Sequence, residues 1–187
     1  MDYNKYWELI FNKNEELNNL FSSYWHDYSN LGTWQFWTVV FLMIFPLILL
    51  YFTVDRSRIF EVFFFGYTVH ILWSYTDLVL ARQGYFVHTY FLTPLLPYAL
   101  NMTASALPVA FLLVYQYTSN TKKNFYLIML ILCAVFAFGI ATLEEFVGLL
   151  KFDKGMNQFH LFMIDIAIAF AAYWMTKLVK SYRVLHR

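Results

Sequence analysis

The sequence predicts an all-α, polytopic membrane protein: a bundle of five transmembrane helices with an N-terminal amphipathic helix and a Pro-broken third segment. Three observations carry this reading. Of 187 residues, 60% are hydrophobic and 13% charged, against about 45–50% and about 25% in soluble domains. Five apolar runs come close to the roughly 20 residues a spanning helix needs. The linkers between those runs differ in charge from one side of the chain to the other.

The chain divides at residue 33. Residues 1–33 are polar and acidic, without the basic-then-apolar order of a secretory signal. Within them positions 3, 7, 10, 14, 17, 21 and 24 read Tyr, Trp, Ile, Asn, Leu, Phe, Tyr, the 3–4 spacing of an amphipathic helix. It is expected to lie on the outer membrane surface or over the bundle, or else to present a docking face or lid. Residues 34–187 form the transmembrane domain, with helices expected at 34–53, 59–81, 98–117, 125–147 and 160–178. The third run, Tyr90 to Tyr117, would be roughly 42 Å as a straight helix, longer than the roughly 30 Å hydrocarbon core. Pro94, Pro97 and Pro108 interrupt it. "HTYFLTPLLPYAL" therefore reads as an interfacial or re-entrant piece, and "NMTASA" (101–106) as a patch of small residues that permits close helix approach or offers polar groups to a ligand.

Basic residues set the expected orientation. "VDRSR", "TSNTKK" and the tail "KLVKSYRVLHR" hold Arg56, Arg58, Lys122, Lys123, Lys177, Lys180, Arg183 and Arg187 against one acid, Asp55. The other side holds Lys5, Lys13, Arg82, Lys151 and Lys154 with at least six acids: Asp2, Glu8, Glu15, Glu16, Asp27 and Asp153. The positive-inside rule then places the N-terminus outside and the C-terminus in the cytoplasm of a cell-membrane protein. Trp34, Trp37, Tyr115, Tyr117 and Tyr173 fit an interfacial aromatic belt. The net charge of +1 gives no argument for a nucleic-acid partner. Membrane lipids are the expected partners, together with a second copy or another membrane protein. The single cysteine, Cys133, cannot form an intrachain disulfide and reads as a small apolar helix residue.

The polar residues inside the apolar runs are the candidates for function. Counting 1.5 Å per residue from each helix midpoint puts Asp77 roughly 10 Å, Glu144 and Glu145 roughly 12–14 Å, and Asp165 roughly 6 Å toward the outside. Asn101 falls at a similar depth. Charged groups there are costly facing lipid and turn to the bundle interior or a wet cavity. His70 and Asp77 are seven apart and share a helix face with Trp73 and Ser74. Only one of Glu144 and Glu145 can point squarely inward. Clustered carboxylates repel, so a compensating cation is needed or a carboxyl stays protonated; Arg82, His70, His88, His160, a metal or a bound cationic ligand are the candidates for compensation. Glu61 is expected to reach toward Arg58.

No HExxH, GxSxG, Walker loop or CxxC is present, and no spacing suits a helix-borne metal site. No metal or cofactor is therefore implied. Three function classes fit. The first is a binding or accessory protein with an outward-facing acidic, aromatic-lined intramembrane pocket for a hydrophobic or cationic ligand or a partner helix. His70, Trp73, Asp77, Asn101, Glu144, Glu145 and Asp165 would form that pocket. The second is an acid/base enzyme on a lipid or isoprenoid. The third is a proton- or cation-coupled carrier.

The Trp34-x-x-Trp37 start of the first helix, the second helix with Trp73 and Asp77, and the Pro94/Pro97 segment together resemble a family of small five-helix integral membrane proteins of spore-forming Gram-positive bacteria. The resemblance spans the whole chain. It implies location and topology, and carries over no catalytic residue.

Overall fold

The computed structural model describes the backbone of residues 2–185 and the side chains of residues 2–182. Arg187 and the Arg183 side chain, both counted in the basic tail, lie outside the described residues. The chain is all-helical apart from one short strand pair, with six helices. In order these are α1 (Tyr3–Tyr28), α2 (Trp34–Thr53), α3 (Ile59–Arg82), strand β1 (Phe86–His88), α4 (Leu107–Thr121), α5 (Phe125–Phe146), strand β2 (Leu150–Phe152) and α6 (Gln158–Leu185). Among the described residues three helices are long and apolar enough to cross a membrane: Trp34–Thr53, Phe125–Phe146 and Gln158–Tyr182, with mean hydropathies of 2.2, 2.5 and 1.5. This is compatible with a membrane location.

α1 starts on Asp2, whose carboxylate accepts from the Tyr3 amide (2.8 Å). Only its last turns dock. The Trp25 indole N–H donates to the Phe91 carbonyl (3.1 Å), and the Ser29 hydroxyl accepts from the Phe91 amide (3.0 Å). The Phe91 ring packs on Phe21 and Tyr24. The earlier part of the apolar stripe, including Tyr3, Trp7, Ile10 and Leu17, is exposed.

α3 is the central helix. Val62, Phe65, Val69 and Trp73 are almost wholly buried and meet α4, α5 and α6. Gly66 lets α4 approach so closely that a Cβ there would lie 2.6 Å from Leu112 Cδ1. Phe65 stacks on Tyr115 (ring centroids 4.5 Å) and Phe125 on Tyr173 (4.0 Å). Tyr115 is therefore a core residue, 3% exposed, and not part of a surface belt. Its hydroxyl donates to Glu61 (2.5 Å), which also pairs with Arg58 and with Lys180 Nζ (2.7 Å). One carboxylate so ties α3 to α4 and α6.

Residues 89–99 form no helix, and Pro94 and Pro97 lie in this stretch. A π-helical turn at Met102–Ala106 leads into α4, and a second π-helical stretch, Val135–Ile140, interrupts α5. Such turns insert an extra residue per turn and gather at functional sites. Each strand is entered from a helix through a glycine in the left-handed region, Gly84 (φ 72°) and Gly148 (φ 77°), a conformation that disfavours any Cβ. The strands pair antiparallel, Phe86 with Phe152, Val87 with Lys151 and His88 with Leu150. This pair closes one end of the bundle, because Phe86 and His88 both reach the cavity described next.

Candidate binding site

A cavity of about 30 Å³ lies beneath the strand pair, enough for a water or a small polar group. α3 supplies Trp73 and Asp77, the strand pair Phe86 and His88, and the first π turn Met102 and Thr103. α5 adds Phe136, Ala141 and Glu144, and α6 adds Leu161 and Asp165. Both π-helical stretches thus border it.

Asp77 is 2% exposed and accepts from His88 Nε2 at 2.8 Å. The Phe86 ring packs edge-on against the imidazole (4.6 Å). This pairing comes from β1, which carries His88 back over the end of α3. Asp165 is 1% exposed, and neither of its carboxylate oxygens has a hydrogen-bond partner among the described residues. The same holds for Trp73 Nε1. The Trp73 indole N–H thus faces the Asp165 carboxyl across one small cavity, close to it but without the geometry of a full hydrogen bond. Burying such groups without partners is costly. Glu144 is half-buried at the same cavity, and its carboxylate makes no hydrogen bond among the described residues. Three carboxyls and one imidazole share the space, and the imidazole is committed to Asp77.

The other expected site residues fall elsewhere. Glu145 is exposed and accepts from Gln158 Nε2 (2.7 Å), so Glu144 is the member of the pair that faces inward. Asn101 is buried one residue ahead of the π turn, but it does not line the cavity. His70 lies about 10 Å along α3 from Asp77 at 1.5 Å per residue. Its Nδ1 donates to the Thr103 carbonyl (2.8 Å), and it faces a groove with Leu47, Tyr67 and Pro108. Of the seven expected residues, Trp73, Asp77, Glu144 and Asp165 meet at the cavity. His88 is the functional residue that sequence reasoning left out of the pocket; its naming as a possible counter-charge was the available signal. His160 is exposed and bonds Asn157 through Nδ1 (2.8 Å). Among the described residues no group of three or more His, Cys, Asp or Glu is arranged to hold a metal ion.

No family model, curated protein or solved structure matches this chain.

Proposed function

We propose that the chain is a multi-pass cell-membrane protein with five spans, N-terminus outside, that binds the polar head of a ligand in the cavity between α3, α5 and α6. The five apolar runs, the basic bias of one set of linkers and the three spanning-length helices support the topology. The bare faces of α2 do so as well, with Phe41, Phe45, Tyr51 and Phe52 all exposed. In this topology "HTYFLTPLLPYAL" is the Pro-broken start of the third span, outside the hydrocarbon core or re-entering it.

One observation carries the binding reading: the Asp165 carboxyl and the Trp73 indole N–H are buried, face each other without full hydrogen-bond geometry, and border the same hole. A structural acid would be bonded within the fold, as Asp77 is to His88 of β1. A cavity of this size takes a head group and not a whole lipid. Native mass spectrometry of the protein released from nanodiscs tests this. One stoichiometric small-molecule adduct is expected on the wild type and lost in Asp165→Leu, which removes both acceptor oxygens. A bare mass for both proteins, under conditions gentle enough to retain bound lipid, would remove the proposal.

A further inference from the structure

The polar cavity has an apolar neighbour. A groove of about 190 Å³ runs between α2, α4 and α5. Leu42, Phe45 and Leu49 form one wall, and Val109, Leu113 and Ile140 the other. Met102 and Phe136 line both the groove and the cavity. These two side chains sit in the two π-helical stretches, so the irregular turns of both helices meet at the wall between the spaces. Met102 is an unbranched, adaptable side chain and is only partly buried. Pro46 also lines the groove; lacking an N–H, it cannot bond the Leu42 carbonyl one turn back, which loosens α2 at this point.

Resting on the binding reading above, we infer that the ligand is an amphiphile with a single uncharged hydroxyl head, seated between Trp73 and Asp165, and a hydrocarbon tail lying in the α2–α4–α5 groove. The head follows from the unpartnered atoms. A hydroxyl accepts from the Trp73 indole N–H and donates to an Asp165 oxygen. An ammonium has only donors, so it leaves the indole unpartnered; a carboxylate head would meet Asp165 and Glu144 as like charges. The tail follows from the shared wall: only Met102 and Phe136 separate the two spaces, and a shift of the adaptable Met102 side chain would join them.

The test uses the protein in phosphatidylcholine nanodiscs with a 1-dodecanol that carries a diazirine in its chain. Photolabelling is expected to saturate and to map to residues 42–49 of α2 and 109–113 of α4. Unlabelled 1-dodecanol should compete, and dodecylamine and laurate should not. Trp73→Phe keeps an aromatic ring but removes the pyrrole half with its N–H donor, and should weaken competition at least about tenfold, the effect of one lost hydrogen bond. Ala110→Trp fills the groove from its wall and should abolish labelling at those two segments; circular dichroism and thermal unfolding establish that both variants fold. Labelling that never saturates and spreads over all apolar helices would overturn the inference. Saturable competition by dodecylamine alone would also overturn it, while leaving a ligand site at the cavity intact. A bare native mass together with unsaturable labelling would remove both.

Discussion

Replacing Asp165 by leucine should make the ligand-free protein more stable. The carboxyl is 1% exposed and neither oxygen has a partner, so removing it relieves the cost of an unsatisfied buried polar group, about 1–3 kcal/mol. Leucine is larger, and the adjoining hole of about 30 Å³ accepts the added volume, so overpacking is mild. In a chain of this size each kcal/mol moves Tm by about 2–4 °C. Thermal unfolding in delipidated micelles should therefore rise by several degrees. Asp77→Leu is the matched control. It leaves His88 buried and unpartnered, and should cost about 1.5–3 kcal/mol, the range for hydrogen bonds to charged groups. If Asp165→Leu destabilises as much as Asp77→Leu, Asp165 is bonded within the fold and the reasoning fails.

Other outcomes follow from the same geometry. Gly66→Ala puts a methyl group 2.6 Å from Leu112 Cδ1 and should cost about 1–3 kcal/mol, read from the same melting curves. Tyr115→Phe removes one hydrogen bond to the Glu61 carboxylate and should cost about 1.5–3 kcal/mol, with Arg58 and Lys180 still paired to that carboxylate. In the α2–α3 loop, the Ser57 hydroxyl donates to Asp55 (2.6 Å) and holds its carboxyl below the ordinary 3.8. A depressed carboxyl contributes stability that is present above 3.8 and lost as pH falls through the lower folded value. Ser57→Ala should therefore move the acid-unfolding midpoint to higher pH, and an unchanged midpoint would remove Asp55 from the acid response.

Much of the helical order was legible because long apolar runs bounded by polar linkers allow little else. The start of α2 at Trp34 and its end at Thr53 coincide with the expected 34–53. Asp165 also announced itself, since an acid flanked by four apolar residues on each side has few reasons to be there. The rest of the site depends on features that leave no periodic trace. A three-residue strand is too short for an alternation signal, so the placement of His88 over Asp77 was invisible. The choice between Glu144 and Glu145 turns on helix phase, and the π-helical stretch at Val135–Ile140 resets that phase just before them. His70 and Asp77 do share a face by spacing. However, two helical turns separate them, and at the depth of His70 that face meets the Thr103 carbonyl of another π turn instead of the cavity. Tyr115 was assigned to a belt from its position near a helix end, whereas stacking on Phe65 draws it into the core.

The most direct test of the central claim is an experimental structure of the protein in lipid, at a resolution that shows individual head groups. Density is expected inside the cavity, within hydrogen-bond distance of both Trp73 Nε1 and an Asp165 oxygen, continuing past Met102 and Phe136 toward the groove. A closed or empty cavity, with Asp165 and Trp73 bonded to other side chains, would contradict it.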